Sequence, residues 1–381
     1  MIGKPRIALL VPWIKSKGGV ERMVLNLLQD KKYDIDIFTF MYDKEKTFEK
    51  FGDFDIKVIG KAKSSDFFTR GLSLFGALLT SKIPSLESYD AFIISTAGIS
   101  ELAVFRNRHP TTIAISHTPL RAAHTMYGYY SRTGAKNRLV LPIAAKFYRF
   151  MEKRAWGRIG YAMVFSDEVR RRLIDYRLID GNRIFKISPS IDYSRIKAVK
   201  SHKKIIFYPS RFITYKRQHL AVEAFRASEL PKKGFKLVLG GFPEDKKYFE
   251  SINSMSSENV IVKGNMTEKE LARLYGECYA TLFLAVNEDT GLVPLESMAY
   301  GKPVIAVNEG GPKEFIQNGR NGMLVEAEPQ EIAKAMNKIL NKSLYQKLVN
   351  GAIRSKRHDE KRMISDFNKA MEKIMAAESE K

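Results

Sequence analysis

Hydrophobic positions in the first half of the chain fall in short, nearly unbroken runs. Ile7-Ala8-Leu9-Leu10-Val11, Ile35–Phe40, Ile56–Ile59, Ala91–Ile94 and Thr112–Ile115 are such runs, rich in β-branched residues. Unbroken apolar runs of this length mark strands covered on both faces, as in a parallel sheet. Glu21–Leu28 and Ala144–Trp156 carry helical spacing between or after them. The series then starts again, with strands at Lys204–Tyr208, Phe235–Leu239, Val260–Val262, Ala280–Leu284 and Pro303–Val307. Helical segments near 217–228, 268–276, 294–300 and 329–340 separate them. Two successive β/α series predict an α/β protein of two doubly wound domains, 1–190 and 191–355. The join is placed near Ser190–His202, where the turn-like Ile191-Asp192-Tyr193-Ser194 gives way to a polar, basic stretch. Ligands of such sheets sit beyond the carboxyl ends of the strands, so binding is expected in a central cleft between facing domains. In the last segment, 356–381, Met363, Ile364, Phe367, Met371, Ile374 and Met375 recur at helical spacing. They predict an amphipathic helix.

Composition narrows the class. The 381 residues are 44% hydrophobic and 11% aromatic, enough for packed cores and too apolar for a disordered chain. The longest run without a charge, His109–Leu120, is shorter than the roughly 18 apolar residues of a membrane-spanning helix. A lone cysteine, Cys278, excludes an internal disulfide framework and fits a reducing compartment. Ile7–Ile14 runs into Lys15, Lys17 and paired glycines, which reads as a first strand and its loop rather than a secretory leader. The net charge of +22 is uneven: residues 101–200 carry 20 basic and 7 acidic side chains, residues 251–300 carry 3 and 7. A basic face of this size attracts nucleic acid, anionic lipid or phosphorylated substrates, and composition alone does not choose among them.

Three places carry candidate chemistry. Gly18-Gly19-Val20-Glu21 opens the first helix after the first strand, where backbone N–H groups can meet a phosphate. It is equally an ordinary βα turn, and it is not the GxGxxG of nicotinamide enzymes. Arg211 and Lys216 follow the strand Lys204–Tyr208, at the equivalent point of the second domain. Two cations there can neutralise a diphosphate, one as a fork and one as a point charge, or form a solvated basic loop. Glu288-Asp289-Thr290-Gly291-Leu292-Val293-Pro294-Leu295-Glu296 lies between the strand Ala280–Leu284 and the next helix. With Pro294 in the first helical turn, Glu288 stands in the loop and Glu296 in that turn. Paired carboxylates can grip vicinal hydroxyls of a ribose and a sugar; Glu296 can also simply complement the helix dipole. Glu309-Gly310-Gly311 repeats the glycine loop after the following strand.

The run from Glu288 through Glu296 to Ala299-Tyr300-Gly301-Lys302-Pro303-Val304-Ile305-Ala306 and Gly310-Gly311-Pro312 closely resembles the GT-B retaining glycosyltransferases of family four. Gly18-Gly19-Val20-Glu21 matches that family's amino-terminal loop, and Arg211 with Lys216 its diphosphate-binding pair. Ser116-His117-Thr118-Pro119-Leu120-Arg121 is similar to a segment of its mannosyltransferase members. The resemblance implies that Glu296 holds the nucleotide ribose and Glu288 the donor-sugar hydroxyls, near the backbone of Thr290, Gly291 and Leu292. It implies that Arg211 and Lys216 stabilise the leaving diphosphate with Gly18 and Gly19, that His117 lies by the reacting face of the sugar, and that the last helix crosses back to the first domain. The expected donor is GDP-mannose, supplying mannose; UDP-glucose or UDP-N-acetylglucosamine is the alternative, since Thr290 stands where an aromatic is common.

No cofactor or metal is expected. There is no Asp-x-Asp at the carboxyl end of a strand, no HExxH and no Cys/His cluster. Two basic, apolar segments, Ser64–Ile83 and Arg132–Arg158, read as core helices or as surfaces for an anionic membrane. The expected partners are thus a nucleotide-sugar donor, a lipid-linked or glycan acceptor and an anionic membrane surface. The expected location is cytoplasmic, peripheral on the membrane's cytoplasmic face. A nucleic-acid-binding module is the alternative of another class; no RNP-type strand, helix-turn-helix or zinc finger supports it.

Overall fold

The computed structural model describes residues 3–60, 67–132, 135–196, 202–355 and 357–380. Contacts divide the chain into Met1–Pro189 with Glu360–Lys381, and Ser190–Asp359. Among the described residues each unit holds one parallel sheet.

The first unit's strands are β1 (Arg6–Leu10), β2 (Asp34–Thr39), β3 (Ile56–Val58), β4 (Ala91–Thr96), β5 (Thr112–Ser116), β6 (Tyr161–Val164) and β7 (Ile184–Lys186). Their order is β3-β2-β1-β4-β5-β6-β7. β1 pairs with β2 on one side and β4 on the other, so the winding direction reverses between β1 and β4. The second unit repeats this plan with β8 (Ile205–Pro209), β9 (Lys236–Gly241), β10 (Val260–Gly264), β11 (Ala280–Phe283), β12 (Val304–Val307) and β13 (Gly322–Val325). Its order is β10-β9-β8-β11-β12-β13, and its reversal falls between β8 and β11. The ten apolar runs of the sequence are all strands. β6, β7 and β13 stand outside that series, although β6 lies on an equally apolar run, Tyr161–Phe165; β6 pairs with β5, β7 with β6 and β13 with β12.

Helices cover both sheets. In the second unit, helix Gln218–Ala227 packs Ala221, Val222, Ala224 and Phe225 with Ile332, Ala333, Ala335 and Met336 of helix Pro329–Lys338. Helix Glu268–Glu277 starts on a capping box, Thr267 and Glu270 satisfying each other's backbone N–H. In the first unit, helix Glu360–Ser379 buries Met363, Phe367, Met371 and Ile374 among Ile7, Leu9, Ile37 and Ile93, so the end of the chain joins the first sheet as expected.

The two basic, apolar segments part ways. Residues 61–66 lie outside the described ones, as do the side chains of 67–72, Phe67 and Phe68 included. Beyond them, helix Phe67–Thr80 buries Leu74, Ala77 and Leu78, with Phe75 and Leu79 packed against that core. This stretch is therefore core helix. Helix Ala135–Trp156 instead buries Ala145, Tyr148, Ala155 and Trp156 and exposes Leu139 (75%), Ile143 (75%), Phe147 (55%) and Phe150 (54%). Arg138, Lys146, Arg149, Lys153 and Arg154 are exposed beside them, whereas Glu152, its sole carboxylate, is buried. No helix among the described residues is long and apolar enough to cross a membrane.

Candidate active site

The second unit's reversal point is built outward from β8. Past its end the Ser210 N–H donates to the Gly240 carbonyl (2.9 Å) and the Phe212 N–H to that of Phe242 (2.8 Å). The chain then makes a 3-10 turn, Thr214–Lys216. Tyr208, fully buried, pins that turn: its hydroxyl donates to the Lys216 carbonyl and accepts from the Leu284 N–H at 3.1 Å. The end of β11 is thereby tied to the end of β8. Arg217 leaves the turn in the left-handed region (φ +56°) and bonds Glu309 Oε1 at 2.8 Å.

Lys216 and Glu288, placed by sequence on diphosphate and sugar respectively, are an ion pair. Lys216 is buried and Glu288 half-buried. A buried ammonium needs such a partner, because desolvating a lone charge costs several kcal/mol. Arg211 is more exposed and pairs with Glu244, so the two cations have different partners in this structure. Each retains further donors, three N–H on an ammonium and five on a guanidinium.

Glu288 is held in place by the loop after β12. The Gly311 N–H donates to the Glu288 carbonyl at 2.8 Å. Gly310 has φ +66°, and a Cβ there would come within 2.3 Å of the same carbonyl oxygen. These glycines let the two loops approach backbone to backbone. Thr290 is half-buried, and Gly291 (φ +83°) caps helix Leu292–Ala299. The helix begins two residues before its expected start, since the left-handed Gly291 turns the chain into it. Glu296 therefore sits in the second turn, not the first, which weakens the dipole reading. Its Oε2 accepts the Tyr275 hydroxyl at 2.7 Å.

In the first unit, Gly18 caps helix Gly19–Leu28. A Cβ on Gly18 would meet Glu21 Oε2 at 2.6 Å. Glu21 is buried and takes the Ser16 hydroxyl, so the turn carries its own anion at that place. Gly19, the first helical residue, is exposed. His117 directly follows β5. Its N–H donates to the Thr96 carbonyl (2.8 Å), its ring lies 3.0 Å from the Ser95 hydroxyl through Nε2, and it stacks on Phe165. Burial pushes its pKa down to about 4, which keeps the imidazole neutral near pH 7.

A buried network next to this loop carried no sequence signal. Glu101 takes the hydroxyls of Thr96 (2.6 Å) and Tyr148 (2.5 Å), and Tyr148 also reaches Glu152. Glu152 Oε2 lies 2.6 Å from His124 Nε2, and His124 stacks on Tyr176. Burial, then the charge of Glu152, raises the Glu101 carboxyl pKa. The network moors helix Ala135–Trp156 to the end of β4. Among the described residues, no three His, Cys, Asp or Glu side chains gather as a metal site.

Residues 190–355 match the family model of glycosyl transferases group 1. Solved structures share the architecture: sucrose-phosphate synthase of Thermosynechococcus elongatus has a TM-score of 0.74 at 17% identity, covering 98% of this chain and 100% of that one. HepE of Anabaena, in complex with UDP and glucose, has a TM-score of 0.72 at 17% identity, covering 97% and 100%. This chain has the GT-B fold. Its sequence is similar to alpha-1,3/1,6-mannosyltransferase ALG2 of Dictyostelium discoideum, 24% identical over 85% of the enzyme and 87% of the relative. ALG2 of Saccharomyces cerevisiae is 26% identical over 94% and 83%. The enzyme thus resembles the mannosyltransferases of family four along nearly its whole length.

Proposed function

We propose that the enzyme moves mannose from GDP-mannose to a lipid-linked or membrane-proximal glycan, with retention of configuration and without a metal. The observation that carries this reading is the Lys216–Glu288 pair at the second unit's reversal point. Departure of the nucleoside diphosphate puts negative charge on its phosphates and positive charge on the sugar. Lys216 and Arg211 neutralise the first, and Glu288 holds the sugar hydroxyls while keeping Lys216 oriented. Preorganised charge of this kind is usually the largest catalytic contribution. Glu296 takes the ribose, and the backbone at Thr290, Gly291 and Leu292 lines the donor. The family resemblance assigns Gly18, Gly19 and His117 of the first unit to the same donor. A neutral His117 can accept or donate a hydrogen bond without adding charge beside a cationic sugar. The acceptor hydroxyl then attacks from the face the diphosphate leaves, which preserves the anomeric configuration.

Mannose is supported by the names of the relatives, and a membrane-proximal acceptor by the surface of helix Ala135–Trp156. That helix presents large apolar groups and cations with no exposed carboxylate, the composition of a peripheral contact with anionic lipid on the cytoplasmic face. Replacing Lys216 by Ala should lower turnover at saturating donor by about 100-fold. Glu288→Ala should also lower turnover, yet bind GDP as tightly as the native enzyme or more so, since it removes the anion that competes for Lys216. Native turnover in Lys216→Ala, or weaker GDP binding in Glu288→Ala, contradicts the assignment.

A further inference from the structure

Tyr275 stands near the end of helix Glu268–Glu277 and is 2% exposed. Its ring stacks on Tyr300 (5.4 Å, 6° between planes) and meets Phe207 of β8 edge-on (5.4 Å, 83°). Tyr300 closes the same helix, Leu292–Ala299, that bears Glu296. The phenol is therefore clamped between a strand and one end of that helix while its hydroxyl reaches Glu296 Oε2 at 2.7 Å. Burial, then the Glu296 charge, raises the phenol pKa well above its usual value, so the hydroxyl remains a proton donor.

We infer that Tyr275 is the positioning residue for Glu296: its hydroxyl fixes the carboxylate rotamer so that the remaining lone pairs face the vicinal hydroxyls of the nucleotide ribose. The inference rests on the reading of Glu296 as the ribose ligand. A glutamate side chain turns about three bonds, and a grip on two adjacent hydroxyls requires both oxygens to be aimed together. A rigid ring with two aromatic neighbours supplies that aim before the ligand arrives, which reduces the ordering cost of binding. A carboxylate oxygen has lone pairs for more than one donor, so the tyrosine does not use up Oε2.

The test is calorimetry with GDP together with donor kinetics. Tyr275→Phe keeps the ring and removes the donor. It should weaken GDP binding and raise the donor KM by about tenfold, the scale of one hydrogen bond to a charged group, with kcat little changed because the ribose is held in ground and transition states alike. Tyr279→Phe loses a hydroxyl bonded to the Ile339 carbonyl (3.1 Å) and serves as the control, with GDP affinity unchanged. In a Glu296→Ala background, Tyr275→Phe should cost nothing further. Native GDP affinity in Tyr275→Phe, while Glu296→Ala loses it, overturns this inference alone. The same loss from Tyr275→Phe in both backgrounds also overturns it, since the tyrosine then acts by another route. Undiminished GDP affinity in Glu296→Ala overturns the ribose assignment and this inference with it.

Discussion

At the scale of single residues, burial decides which form of a side chain is available. An imidazole in the unfolded chain takes its proton near pH 6.5, whereas His117 in the folded enzyme takes it only near 4. Between these values the unfolded state binds more protons, so unfolding free energy falls as pH drops through that window. Above pH 6.5 the residue contributes no pH dependence. Urea unfolding at pH 7 and pH 4.5 should therefore cost the native enzyme about 2 kcal/mol more than His117→Gln over the same step. An equal loss in both proteins would refute a neutral His117. The residues of this scale were legible in uneven degree. Arg211, Lys216 and Glu288 announce themselves by charge past strand ends and Glu296 by its spacing from Glu288, but Glu101, Tyr148, Glu152 and Tyr275 look like ordinary helical positions. What gives those four meaning is a partner 21 or more residues away, or a buried hydroxyl, and neither is a local pattern.

At the scale of elements, the apolar runs located ten strands because most are nearly continuous and covered on both faces, as β4, β5, β11 and β12 are. β6 lies on an apolar run, Tyr161–Phe165, as continuous as those ten, whereas β7 and β13 are short strands completed by pairing with β6 and β12. Basic, apolar helices posed a harder problem. Ser64–Ile83 and Arg132–Arg158 have similar compositions, yet from residue 73 onward the first turns its leucines into the core, and the second leaves five large apolar side chains in solvent. Composition measures how much apolar surface a helix has; only packing says where it points. Arg149 illustrates the same limit, since its guanidinium holds the Ala123 carbonyl (2.7 Å) and is not simply a surface cation. Liposome sedimentation should accordingly depend on helix Ala135–Trp156. Lys146, Lys153 and Arg154 changed together to Glu should abolish the salt-sensitive part of binding to anionic vesicles, as each cation near such a surface contributes about 1 kcal/mol. Leu139, Ile143 and Phe147 changed together to Ser should remove the salt-resistant part. Binding that survives both triple variants would place the lipid contact elsewhere or nowhere.

At the scale of the whole molecule, the enzyme repeats one device. Each sheet reverses its winding beside its first strand, and the chemically distinctive loops cluster at those reversals: Gly18, Thr96 and His117 in one unit, Arg211, Lys216 and Glu288 in the other. Strand order makes such a place, because adjacent loops there diverge in opposite directions. The central claim is that protein cations, not a metal, stabilise the departing diphosphate of GDP-mannose. The direct measurement is GDP release from GDP-mannose in excess EDTA with a lipid-linked oligosaccharide as acceptor, run beside UDP-glucose and UDP-N-acetylglucosamine. The account predicts full turnover of GDP-mannose under chelation and an α-linked product from the α-configured donor. Turnover that vanishes with EDTA and returns with manganese or magnesium, or that occurs only with a UDP-sugar, would contradict it.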